Sequence, residues 1–394
     1  MRPALLLFAL PLLGCPADEV VPVDPTPEPS YLSVALVDRP DVDAYGEATI
    51  ADENLPGLFL GVAEGRTLVY LGGFGWEDIE ASVPVDPRAT LFRWASLSKG
   101  LTGVAALQTS LRGDVDLEAP VEDVVDEYTQ PTTWLPEGCE AMGCAEPIPD
   151  GADGVTLRRL LDHTSGVQHY SNGLASPTPP AGERNDPAVN TGLSWALPRW
   201  IDAPLVAPPG TDYRYSTMGH NLAGVVLERA SGRSFAELVD TWIADPLDMD
   251  TLGPDLHWEA RERRAVGYGY DGGDFLPDGD SDVSWKLPGG GFLSTGEDLT
   301  RWCAGLLGDR LLPEEARDDV LWAPVAPANA YSFGFGVRGD TDRRVSHTGA
   351  QQKARTAVLV LPDQQRCFAV MTNGIDASPS ELIGGLEAVW TAED

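Results

Sequence analysis

Residues 92–103 read FRWASLSKGLTG. Ser96 and Lys99 stand three residues apart at the start of an apolar helical pattern that runs from about Ser96 to Leu111 and ends near Gly113. That spacing is close to one helical turn, so both side chains share a face and reach one another. A serine hydroxyl is a weak nucleophile until a base takes its proton. Lysine serves as that base only where burial disfavours its ammonium form. A helix N-terminus also aims backbone N–H groups outward, where they stabilise a developing oxyanion. The pair alone is a weak signal, because an amphipathic surface helix carries Ser and Lys at this spacing without any chemistry.

Two later stretches change its weight. GTDYRYSTMGHNLAG (210–224) sets Tyr215-Ser216-Thr217 just before an apolar helix, and VSHTGAQQ (345–352) sets His347-Thr348-Gly349 at the end of a strand pattern. Between and around them fall VTLRRLLDHTSG (155–166), PPGTDYRYS (208–216), DPLDMD (245–250), GGGFLSTGEDLTRW (289–302) and VMTNG (370–374). In this order the blocks resemble the serine beta-lactamase and penicillin-binding protein superfamily, specifically the class C beta-lactamase and DD-peptidase branch. Within it they are most like the mitochondrial serine beta-lactamase-like members. The likeness runs from about residue 31 to 391.

The resemblance implies an acyl hydrolase without cofactor. In it Ser96 is acylated, Lys99 shares or relays its proton, and Tyr215 is general base and acid, as a phenolate or through Lys99. It further implies that Thr217, His347, Thr348, Gly349 and Ala350 bind substrate, with the N–H groups of Ser96 and Ala350 as the oxyanion hole. Three positions depart from the pattern. Thr217 replaces Asn and His347 replaces Lys, which count against efficient beta-lactam hydrolysis. A His347 charge that fades above pH ~6.5 predicts activity changing between about pH 6 and 7.5. Lys353 replaces a glycine and is expected in solvent at a strand end, with the mouth of the cleft as alternative. His163 is expected to pack rather than react, and Gln168, His169 and Tyr170 to rim the cleft. Trp94 and Trp285 are expected in the core or wall.

The remaining pattern predicts an α/β (α+β) fold: an antiparallel sheet flanked by helices, built from both chain ends, with an inserted, mostly helical lobe. GLFLGVAEGRTLVYLGGFG (57–75) reads as a hairpin turning at Glu64-Gly65; YSFGFGV, ARTAVLVLP and CFAVMTN return strand signals late, and SPSELIGGLEAVW closes with a helix. The sheet lobe is expected over 31–113 and 285–394, and the helical lobe over 114–284. YDGGDFLPDGDSD (270–282), with five aspartates, is read as a solvated hairpin tip rather than a calcium loop.

Composition narrows the function classes. The chain has 27 basic and 61 acidic residues, a net charge of −34, which disfavours nucleic acid. Five histidines without metal-ligand spacing argue against a metal site. Residues 1–14 read as a secretory signal, too short to span a bilayer, and Leu12-Leu13-Gly14-Cys15 fits a bacterial lipobox with Cys15 lipidated. The Pro- and acid-rich residues 15–30 then form a tether from a membrane, and the expected partners are that membrane and a small peptide or ester substrate. Export permits disulfides: Cys139 and Cys144 are placed to close a small loop, while Cys303 and Cys367 are either paired or simply buried. Only three of the basic residues are lysine: Lys99, Lys286 and Lys353.

Overall fold

A computed structural model describes residues 30–139, 142–170, 193–328 and 330–392. The expected signal peptide, Cys15 and the expected tether up to residue 29 lie outside the described residues. Tyr31–Asp394 form one compact unit.

Its frame is a nine-stranded sheet. Across it run Ser33–Val34, Thr67–Asp78, Gly57–Glu64, Arg366–Thr372, Ala354–Leu361, Arg344–Gln351, Phe335–Arg338 and Tyr331–Ser332, with Val83–Pro84 beside Thr67–Asp78. All pairings are antiparallel except that of the first two. The chain ends meet at the centre, where Leu58 pairs with Thr372 and Glu64 with Arg366. Period-two alternation explains the layering. Leu58, Leu60, Val62, Phe368 and Val370 pack with Leu382, Leu386 and Trp390 of the helix Pro379–Thr391. Phe59, Ala63, Cys367, Ala369 and Met371 face the opposite way, toward Leu299 and Trp302 of the helix Gly296–Leu307. Strands covered on both faces read as near-continuous apolar runs, as these do.

The expected hairpin, the late strands and the closing helix are all present. Between the two halves of the sheet the helices are shorter than their periodicity predicts. Thr217–Ser231 is long, capped by Ser216 and ended by Gly232 in the left-handed region, φ 69°. Leu157–Leu161 and Phe235–Val239 are barely more than a turn, and Ser194–Arg199 is a 3-10 segment containing Pro198. The aspartate-rich stretch forms a hairpin, Tyr268–Asp271 against Asp274–Pro277. Its far end is not merely solvated: Asp280 pairs with Arg93, Arg264 and Lys353. Lys353 is therefore not free in solvent but held 3.1 Å from Asp280. Cys139 is joined to Cys144, and Cys303 to Cys367.

Candidate active site

The strand Phe92–Arg93 ends in a tight 3-10 turn, Ala95–Leu97, that feeds the helix Ser98–Leu111. Ala95 takes φ 49°, a conformation that costs free energy for a residue with a Cβ. The turn presents Ser96, half-buried, and places Lys99 one turn on with 0% exposure.

Lys99 Nζ lies 3.2 Å from Ser96 Oγ, 3.2 Å from Thr217 Oγ1 and 2.5 Å from the Gly289 carbonyl. Burial, and next the charge of Lys286, drive its proton affinity well below that of a free lysine. Nζ donates to Gly289 O, Thr217 Oγ1 and Ser96 Oγ, and a lysine whose ammonium is disfavoured in this way gives up its proton readily beside the Ser96 hydroxyl. Gly289 permits this: a Cβ there would stand 2.5 Å from Thr217 Cγ2. Tyr215 donates its hydroxyl to Ser96 Oγ at 2.8 Å. Burial raises its pKa well above that of a free phenol, so the expected phenolate option is corrected: Tyr215 enters as a neutral phenol.

Helix capping places Tyr215 and Thr217. Ser216 Oγ accepts the Gly219 N–H at 2.8 Å, which fixes Tyr215 just before the helix and Thr217 as its first residue. Two histidines take N–H groups that the helix cannot pair. His163 Nδ1 accepts from Ser216 at 3.0 Å, and His169 Nδ1 from Thr217 at 3.2 Å. With Nδ1 accepting, His163 carries its proton on Nε2 and donates it to Tyr331 Oη, 3.2 Å away. Tyr331 donates in turn to His347 Nε2 at 3.2 Å, and His347 Nδ1–H reaches the Thr348 carbonyl at 2.6 Å. All three groups are neutral in this chain. Burial pushes His347 down to about 3, which corrects the expected titration near neutrality.

His163 packs as expected, its ring 4.3 Å from that of Tyr215. Thr217, expected on the substrate, is 3% exposed and bonded to Lys99. Gln168, expected on the rim, is buried, with Nε2 on the Pro204 carbonyl. Tyr170 is exposed, while Trp94 and Trp285 are buried.

The strand Arg344–Gln351 forms the opposite edge. Its neighbour Phe335–Arg338 pairs only with Arg344, Val345 and Ser346, so residues 347–351 keep a free edge among the described residues. At Gly349 a Cβ would stand 2.5 Å from the Trp94 carbonyl and 3.0 Å from Ala95 Cβ. Only glycine lets the strand lie flush against the nucleophile turn. Thr348 and Ala350 are exposed on either side of it. Two residues of the site escaped the sequence reading. Tyr331 starts a two-residue strand with no motif, and Lys286 precedes the glycine run as a lone cation. The scarcity of lysine was the available signal for the second.

A hydroxyl flanked by a fully buried lysine amine and a phenol, beside an open strand edge, is the apparatus of a serine hydrolase. The chain belongs to the beta-lactamase family, whose model matches residues 42–383. The mouse mitochondrial serine beta-lactamase-like protein LACTB is 26% identical over 82% of this chain and 72% of its own length. Esterase EstB of Burkholderia gladioli is 32% identical over 54% of this chain and 50% of its own. The octameric penicillin-binding protein homologue of Pyrococcus abyssi shares the fold, with a TM-score of 0.71 at 22% identity, covering 90% of this chain and 77% of that one.

Proposed function

We propose that the protein is an exported serine hydrolase that forms an acyl-enzyme at Ser96 on peptide or ester substrates. One observation carries the reading: Ser96 Oγ sits 2.8 Å from the Tyr215 hydroxyl and 3.2 Å from a lysine amine whose proton affinity burial lowers. Lys99 takes the Ser96 proton as Oγ attacks the acyl carbon. The oxyanion is met by the N–H groups of Ser96 and Ala350, with the substrate extended along residues 347–351. Collapse expels an amine or alcohol that takes a proton from Tyr215, and Lys99 returns its proton to the phenolate. Water then repeats the sequence on the ester, releasing acid and restoring Ser96. Thr217, Thr348 and Gly349 frame the site, and His347 acts as a neutral hydrogen-bonding group. The esterase likeness supports an ester substrate, and the free edge supports a peptide.

The test weighs adducts on the protein and on Ser96→Ala after exposure to a fluorophosphonate and to a penicillin. A fluorophosphonate adduct that requires Ser96, without penicilloylation, is expected. Absence of any Ser96-dependent adduct refutes the reading, rapid penicillin turnover moves it to a beta-lactamase, and a stable penicilloyl adduct moves it to a penicillin-binding peptidase.

Export rests on the signal and on Cys15, and the two disulfides support an oxidising compartment. Expression in a bacterial host with labelled palmitate is expected to mark the protein and hold it in the membrane fraction, and Cys15→Ser to abolish both. Unlabelled protein refutes the anchor.

A further inference from the structure

We propose that Lys286 is a recognition residue for a carboxylate carried by the substrate, in the same cleft as Ser96. The acyl-substrate part of this statement rests on the function proposed above.

Lys286 is 8% exposed, yet its ammonium makes no hydrogen bond or ion pair among the described residues. The stem of Lys286 is buried while its ammonium keeps some solvent access, so the charge is partly desolvated and has no protein partner among the described residues to offset that cost. What surrounds it is aromatic: Nζ lies 5.5 Å from the centre of the Tyr170 ring and 5.7 Å from that of Trp285. Such faces offset part of the cost and leave the N–H groups unused.

The lack of a partner is not a lack of carboxylates in a chain with 61 acidic residues. Those nearby are committed elsewhere. Asp255 is held by Arg93 at 2.6 Å and Arg264 at 2.8 Å. Asp280 is held by Arg93 and by Lys353, each at 3.1 Å. Asp282 turns Oδ1 back to Ser284, and its buried Oδ2 has no partner among the described residues and makes no ion pair with Lys286. Every other cation of this wall is neutralised, and Lys286 is left over.

Its place is within the site. Lys286 leads directly into Leu287–Gly290, the short helix whose Gly289 carbonyl holds Lys99. Tyr170, over which it lies, stacks 3.9 Å from His169, the acceptor of the Thr217 N–H. A second polar group without a partner faces the same short helix. Both amide atoms of Gln351 are buried and unbonded, and Oε1 is 3.8 Å from where a Cβ on Gly290 would stand. Gln351 ends the free strand edge. A ligand carboxylate satisfies such an ammonium with a charge-assisted hydrogen bond and removes the desolvation cost. His347 cannot do this, because it is neutral. Burial pushes Lys286 only to about 8, which leaves the ammonium as its main form near pH 7.

The test uses the full chain carrying Ser96→Ala, which binds without turnover. Calorimetry compares monomethyl glutarate, which carries a carboxylate, with neutral dimethyl glutarate. The half ester is expected to bind at least ~10-fold tighter, about 1.4 kcal/mol. Adding Lys286→Met or Lys286→Gln is expected to erase that ratio, and Lys286→Arg to keep part of it. Equal binding of the two esters, no measurable binding of the half ester, or a preference that survives Lys286→Met and Lys286→Gln overturns the proposal. Fluorophosphonate labelling of unmodified Ser96 reads the hydrolase function separately, so a failure there does not decide the fate of Lys286.

Discussion

The lowered proton affinity of Lys99 can be weighed thermodynamically by replacing it with methionine, which fills similar space and never binds a proton. In the unfolded chain the lysine is an ammonium below its ordinary value of 10.5; in the fold, burial and Lys286 press it well below that. Over the interval between the two values the unfolded state holds one more proton than the native state. Stability therefore rises with pH there, by about 1.36 kcal/mol per pH unit for this one group. Lys99→Met removes that slope and nothing else that titrates. The stability of the variant minus that of the parent is expected to fall as pH rises toward the ordinary lysine value, with a slope of up to about 1.36 kcal/mol per pH unit. The bond lost to Gly289 shifts the whole difference by a constant and leaves its slope alone. Urea unfolding is the assay, because an ionic denaturant would screen the charges being measured. Parallel stability curves for the two proteins would refute the reasoning: Lys99 would then fold as an ammonium and could not accept the Ser96 proton. Fluorophosphonate labelling of Lys99→Met is expected to slow by about 10²–10⁴-fold, the usual contribution of a positioned base.

The histidines add a limb of the same sign at lower pH. His163, His220, His169 and His347 are all held below the ordinary value of 6.5, His169 at about 4 and His347 at about 3. Their stability contribution is complete above about pH 6.5 and is lost as pH falls toward the folded values, with a slope approaching ~5 kcal/mol per pH unit for four groups. Urea midpoints at pH 7, 6 and 5 check it, and a flat response counts against neutral burial. For the same reason His347→Asn is expected to leave the shape of the labelling–pH profile unchanged between about pH 6 and 7.5. Tyr331→Phe strands the Nε2–H of His163 and the Nε2 of His347, and is expected to cost about 2–4 kcal/mol in chemical unfolding at neutral pH. A loss near zero would mean that the relay is not formed. Gly349→Ala drives a methyl into the Trp94 carbonyl; labelling of Ser96 is expected to fall at least tenfold while circular dichroism is retained, and wild-type labelling would refute the close approach.

What the sequence made legible was local. Ser96 and Lys99 are paired by one helical turn, Tyr215 is placed by the Ser216 cap three residues from Gly219, and the sheet is written in alternation at Gly57–Glu64 and Arg366–Thr372. Each signal is complete within a dozen residues. Partnerships across the chain left no such trace. Nothing in the aspartate-rich stretch shows that Asp280 will meet Arg93, 187 residues earlier. Nor does Thr217 by its place after Tyr215-Ser216 show that its hydroxyl will meet Lys99 rather than substrate. The charge of His347 was misjudged on the same ground. An imidazole's ordinary pKa belongs to water, and what removes it here is desolvation by the fold.

Substituting His347 for lysine has a consequence for Lys99. A second fixed ammonium on that edge would press the base further down, whereas a neutral relay leaves Lys286 as the cation whose charge acts on Lys99 besides burial. A carboxylate bound to Lys286 cancels that charge where it matters. The amine of Lys99 then holds a proton more firmly, which makes it a better acceptor for the proton of Ser96 at the moment substrate is present. In the empty site the same lysine is a weaker base, and Ser96 is correspondingly less reactive toward small esters that carry no charge. Recognition and activation are thus joined through one electrostatic contact, with no movement of the fold required.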